Sequence, residues 1–179
     1  MTEQSFSLIP FPASKIPAIS ITGKISRQTN RIALLYSLSG NTDDVFLPPR
    51  ALNSIRRDEL WKTTCFEFFL AIKDQPQYWE FNFSPSGNWN IYRMDAYRRI
   101  GFREETLIPS LEFEMQRKAD IIFLNATIDL SPIVRESQLL DVGVTAIIQT
   151  KDNDETYWAL LHPAPQADFH LRESFVCSL

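Results

Sequence analysis

Glu67, Glu80, Asn82, Asn90 and Tyr92 recur at every second position in runs otherwise made of Phe, Trp, Leu and Ile. In a β-strand such alternation puts apolar groups on one face and hydrogen-bonding groups on the other. Carboxylates, amides and a phenol held in a fixed array suit a sugar, whose hydroxyl groups need bidentate acceptors and mixed donor-acceptor amides. The competing occupant of such a face is water. An outer sheet face usually carries lysine and threonine, however, and this set has neither.

Glu67 and Glu80 also raise the chemistry of a retaining glycosidase, in which two carboxyl groups act as nucleophile and acid/base. On neighbouring strands they would sit diagonally, with Cβ atoms about 7 Å apart. Two nearby acids are more commonly sugar or water binders. The two histidines, His162 and His170, fall in a tail with Asp168 and Arg172, without the third close ligand that a metal would want. That tail is expected to line the mouth of a site, with Arg93 as a further rim residue. Trp61, after an Arg-Arg-Asp-Glu stretch, is expected near the surface as a flat platform for a sugar ring, whereas Trp158 lies among apolar neighbours. A haem would pair Met94 with one histidine. No Cys-x-x-Cys-His attachment signal accompanies that pair, so no cofactor is expected.

The elements that position these groups are strands. Nine runs are expected as strands: 18–25, 31–39, 64–72, 77–84, 88–94, 111–118, 120–129, 142–150 and 156–162. Turn-forming clusters separate several of them, at 39–44, 84–88 and 151–155. This spacing predicts a sandwich of two antiparallel sheets. Residues 48–60 are expected as a short helix or a loop.

Closing a hairpin at Pro85-Ser86-Gly87 places Asn82 opposite Asn90, Glu80 opposite Tyr92 and Phe83 opposite Trp89. Opposite residues share a face. A connection at 73–76 then sets Phe68 opposite Phe81 and Glu67 opposite Asn82. Both registers keep Phe66, Phe68, Leu70, Trp79, Phe81, Phe83, Trp89 and Ile91 on one surface, and a one-residue slip would mix the sets. Arg93 falls on the aromatic face opposite Trp79, where its guanidinium can stack on the indole.

With 179 residues and a net charge of −4, the chain fits one domain and carries no basic run for nucleic acid. The reading is a single domain over 1–179, with 1–17 as a proline-rich arm on the surface and 163–179 as a loop and tail. The first residues lack the charged start and apolar stretch of a signal peptide, and no run approaches a membrane span, so a cytoplasmic location is expected. Cys65 and Cys177 are the only cysteines and are expected as free thiols.

Three blocks, Leu60 to Leu70, Tyr78 to Tyr92 and His162 to His170, resemble the bacterial DOMON-like proteins, which are related to the family 9 carbohydrate-binding modules. The resemblance implies a β-sandwich with a ligand site, commonly for a sugar and in some DOMON domains for haem. It implies that the Glu-x-Asn-x-Ser-Pro-x-Gly hairpin, with Glu80, Asn82, Pro85 and Gly87, contributes to the polar face together with Glu67. Family 9 modules hold a terminal sugar between two loop tryptophans, whereas most indoles here follow the strand pattern. The resulting expectation is a non-catalytic domain that binds a small polar ligand.

Overall fold

The computed structural model describes residues 2–98 and 100–179. Its chain order is β1 (Thr2–Ser7), β2 (Ile9–Pro10), β3 (Ile19–Gln28), β4 (Arg31–Gly40), β5 (Cys65–Ile72), β6 (Tyr78–Phe83) and β7 (Trp89–Met94). There follow β8 (Arg103–Glu104), β9 (Glu112–Lys118), β10 (Ile121–Asp129), β11 (Leu140–Gln149), β12 (Glu155–Ala159) and β13 (Cys177–Ser178). The protein is all-β. Helix among the described residues is confined to three short 3₁₀ turns, Thr42–Asp44, Leu60–Lys62 and Arg172–Ser174.

The strands form two antiparallel sheets, packed as a sandwich. One has five strands in the order β1-β3-β4-β10-β9. The other has eight, β2-β12-β11-β5-β6-β7-β8, with β13 also paired to β11. All nine expected strands are present, and the registers of the central hairpins are those read from the pattern. Phe68 faces Phe81, Glu67 faces Asn82, Glu80 faces Tyr92 and Phe83 faces Trp89. Gly87 sits at φ 92° in that hairpin turn, a conformation that a side chain would strain.

The two sheets differ in how many faces they bury. In β4 the buried positions alternate, Ile32, Leu34, Tyr36 and Leu38 pointing inward, as expected of a sheet with one wet face. In β5 and β6 every residue is buried. The second sheet is therefore covered on its outer face as well, by loops. The inner face supplies the main core, including Phe66, Phe68, Trp79, Phe81, Trp89 and Trp158. A second apolar cluster lies outside the sheet, where Phe69, Tyr78, Tyr92, Met94 and Ile147 meet Phe169 and Phe175 from the C-terminal segment.

Tyr36 links the layers. Its hydroxyl crosses the core and donates to the backbone carbonyls of Glu67 and Thr145 on the opposite sheet.

The amino-terminal residues differ from expectation. Residues 2–7 are the edge strand of the five-stranded sheet, and Ile9–Pro10 pairs with β12 of the other, so the segment straps both sheets rather than lying over the surface. Residues 48–60 form a loop that ends in the turn at Leu60–Lys62. Cys65 and Cys177 are buried free thiols. They pair with β11 at Ile147 and Val142, five residues apart, which is roughly 16 Å along a strand at about 3.3 Å per residue.

Candidate functional site

The outer face of the eight-stranded sheet divides into a closed half and an open half. Closure over β7 comes from the loop that precedes Leu60. The Arg56 guanidinium lies 4.4 Å from the centroid of the Trp89 ring and donates to Asn90 Oδ1 at 2.8 Å and to the Ile108 carbonyl at 2.9 Å. Asn90 in turn donates to Tyr92 Oη and to Glu104 Oε1, each at 2.9 Å, and Tyr92 donates to Asp58 Oδ1. Burial, followed by the adjacent Asp58 carboxylate, pushes the Tyr92 phenol well above its ordinary value. Asn90 and Tyr92, expected as ligand contacts, are thus used to hold the loop down.

Over β5, β6, β11 and β12 the face opens into a pocket of about 320 Å³. Its floor is Glu67 and Phe69 from β5, Glu80 from β6, Ile147 from β11 and Tyr157 from β12. These residues occupy one face because each strand contributes its odd or even positions to it. Three loops supply the walls: Trp61 from the turn after Glu59, Arg98 from the segment after β7, and Ala167 to His170 from the segment after β12.

Glu67 is the most unusual group. It is 2 % exposed, and its Oε1 has no hydrogen-bond partner among the described residues. Its Oε2 meets the Thr145 hydroxyl at 3.5 Å. The buried Cys65 thiol lies alongside and is shared among the Glu67 carboxyl group, Phe66 O and Asn82 Oδ1 as a weak donor. Burial first, and the negative charge of Glu80 second, push the Glu67 carboxyl well above the ordinary carboxylate range. Glu80, 6 % exposed, is oriented by the Asn82 amide, which donates to its Oε1 at 2.8 Å. Asn82 therefore acts behind Glu80 rather than at the pocket surface.

The tail is fixed by Asp168. Its Oδ2 accepts from Tyr97 Oη at 2.9 Å and from Arg98 Nη2 at 2.8 Å, while its Oδ1 accepts from the His170 backbone N–H at 3.0 Å. Burial alone would raise this carboxyl group, but the hydrogen bonds from Arg98 and Tyr97 outweigh it and hold Asp168 below its ordinary range. The His170 ring sits with Nδ1 3.0 Å from Tyr78 Oη and packs edge-on to Phe69. Phe175 anchors the same segment against Gly143, where a Cβ would come within 2.9 Å of its ring.

Of the ten residues expected at the site, Glu67, Glu80, Trp61, Asp168 and His170 line the pocket, and Asn82 supports it. Arg93 does not reach it. That side chain leaves the opposite face of the sheet, 5.8 Å from the Trp79 ring, and donates to Gln77 Oε1, as its strand parity requires. Arg172 is also outside, held by Asp141 and the Gln75 carbonyl. Phe69, Ile147, Tyr157, Phe169 and Arg98 line the pocket without having been expected there. Phe69 and Tyr157 have the right strand parity, which was the available signal. Arg98 carries none, because a loop has no period.

An axial haem pair is not supported by the residues present. Met94 packs in the outer apolar cluster and does not line the pocket, and about 320 Å³ is at the small end of the roughly 300–1,000 Å³ typical of ligand sites.

No family model and no curated protein matches this sequence. Among solved structures, the chain is similar to a candidate carbohydrate-binding protein from Bacteroides uniformis ATCC 8492, with a TM-score of 0.71, 14 % identity, and coverage of 96 % of this chain and 83 % of that one. It is also similar to a family 9 carbohydrate-binding module from Caldicellulosiruptor kristjanssonii in complex with glucose, with a TM-score of 0.47, 12 % identity, and coverage of 85 % and 72 %. At such identities the first likeness is one of fold.

Proposed function

We propose that this chain binds a small carbohydrate in the Glu67–Glu80 pocket and does not turn it over. The observation that carries the reading is the pocket floor, where two buried carboxyl groups, one with an unpartnered oxygen, lie between aromatic surfaces. Carboxylates accept from paired hydroxyl groups, and the faces of Trp61 and Tyr157 suit the C–H surface of a sugar ring. The volume favours one or two sugar units. The fold shared with the Bacteroides uniformis protein agrees with this assignment.

Binding is favoured over hydrolysis by the placement of the acids. A glycosidase sets its two carboxyl groups on either side of the scissile bond. Here both rise from neighbouring strands of one floor and would meet the same side of a ligand. A thermal-shift panel of mono- and disaccharides tests the proposal. At least one sugar should raise the melting temperature in a saturable way, and Trp61→Ala should abolish the shift. A panel in which no sugar stabilises the protein would sink the reading. Turnover of an aryl glycoside that disappears in Glu67→Gln would replace it with an enzymatic one.

A further inference from the structure

A second cleft, of about 730 Å³, lies beside the turn that carries Trp61. Leu60 and Lys62 line it, whereas Trp61 between them lines the Glu67–Glu80 pocket, and the two cavities share no lining residue. The hairpin between β6 and β7 contributes Ser84, Ser86 and Asn88, all buried, and the loop before Leu60 contributes Arg50 and Arg57. That loop is pinned along the hairpin. Ala51 N donates to Ser86 O at 2.8 Å, Arg57 N to Trp89 O at 2.9 Å, and the Ser54 hydroxyl to Gly87 O at 2.6 Å.

Acceptors around this cleft are engaged while several donors are not. The Ser84, Ser86 and Arg57 carbonyls accept from Gly87 N, Ala51 N and Asn90 Nδ2. Asp58 Oδ1 accepts from the Tyr92 hydroxyl and the Glu59 N–H, and Glu59 pairs with Lys62 at 2.7 Å. Asn88 is different. It is 4 % exposed, and the Ile55 N–H fixes its Oδ1 as the accepting end at 3.3 Å, which leaves Nδ2 with no acceptor among the described residues. The Ser84 and Ser86 hydroxyls bond each other at 2.8 Å, which uses one of their two protons. The other has no acceptor among the described residues. Arg50 and Arg57 add two guanidinium groups that have neither a hydrogen-bond nor an ion-pair partner among the described residues.

Buried polar groups are normally paired, so open donors at the base of a cleft call for a ligand that brings acceptors. A neutral hydroxyl could serve the amide and the serine. Only an oxyanion also matches the guanidinium groups, whose fork of N–H donors fits carboxylate and phosphate oxygens. The lining carries three cations against two carboxylates, in a chain whose net charge is −4. We infer that this cleft is a second binding site, taking the oxyanion group of a small ligand between Asn88, the Ser84–Ser86 pair and the guanidinium groups of Arg50 and Arg57. The inference is independent of the carbohydrate reading of the first pocket.

Backbone amide shifts recorded by NMR at constant ionic strength test it. Phosphate, sulfate, acetate, glucuronate and glucose are titrated separately into the wild-type protein. At least one oxyanion should give saturable shifts centred on 50–58 and 84–88. Saturation by phosphate or sulfate would mark a tetrahedral group, and saturation by acetate and glucuronate a carboxylate; either supports the site. In Arg50→Gln and Arg57→Gln the dissociation constant should rise about fivefold or more, the scale of losing a charge-assisted hydrogen bond. Both side chains are exposed and unpaired, so the variants should keep the wild-type circular dichroism. An affinity unchanged in both variants would overturn the inference, as would the absence of saturable shifts in this cleft with every oxyanion. Glucose moving the same amides as strongly as glucuronate would also overturn it, because charge would then play no part.

Discussion

Glu67 concentrates in one side chain the conflict between stability and the proposed binding role. Folding raises its pKa above the ordinary value of 4.5, so the native state holds the proton more tightly than the unfolded chain does. By linkage, the stability present below that ordinary value is lost as the pH rises toward the raised native value. Glu67→Gln removes the titration. Its advantage over wild type in urea denaturation should therefore grow as the pH rises from about 4.5, reaching about 0.5–2 kcal/mol, the scale of a single stabilising substitution. A variant less stable than wild type at neutral pH would mean that the carboxyl group is better satisfied than its geometry indicates. Tyr36 makes the opposite case. Its hydroxyl serves two buried carbonyls across the core, so Tyr36→Phe should lower stability by about 1–2 kcal/mol at every pH below the phenol's titration.

At the scale of elements, strands build the floor and loops build the walls. The Arg98–Asp168 contact ties two of those loops together, and Arg98 is 64 % exposed on its side chain. Arg98→Ala should leave global stability nearly unchanged, as removal of an exposed ion pair does. Its effect should appear as faster amide exchange across 163–171, since local opening depends on few contacts there. Gly143→Val attacks the same wall from below. By pushing Phe175 off the sheet it should cost about 1–3 kcal/mol and weaken ligand binding, measured by denaturation and titration together. Strand faces were legible in the sequence because period-two alternation leaves one register that keeps Phe68, Phe81 and Trp89 together. The loops were not. Arg98 meets Asp168 across 70 residues, and no local pattern encodes that distance. Asn90 and Tyr92 had the right face for a site but lie under the loop that Arg56 holds, so parity placed them while tertiary covering decided their role. Arg93 and Arg172 were drawn toward the site by their charge, yet each is committed elsewhere.

Across the whole molecule, the sandwich is fastened at its ends as well as through its core. Arg27 on β3 is 8 % exposed and donates to the carbonyls of Thr29, Arg135, Glu136, Gln138 and Leu179. It thereby ties the five-stranded sheet to the loop before β11 and to the chain terminus beside it. Arg27→Met would remove these bonds to mostly part-buried carbonyls and should lower stability by about 1–3 kcal/mol in equilibrium denaturation. The two-sheet architecture was readable because nine alternating runs with short breaks admit few other folds. The straps at 2–10 and 177–178 were missed because strands of this kind owe their form to a neighbour's edge rather than to their own pattern. Held in this way, the outer face of the eight-stranded sheet offers the proposed ligand a preformed floor. The most direct test is a map of backbone amide shifts by NMR during titration with the tightest-binding sugar. Saturable shifts should centre on 61, 67, 80, 147, 157 and 167–170, with the second groove at 14–18 and 150–154 unmoved. Shifts centred on that groove, or none at saturating ligand, would contradict a carbohydrate site at Glu67 and Glu80.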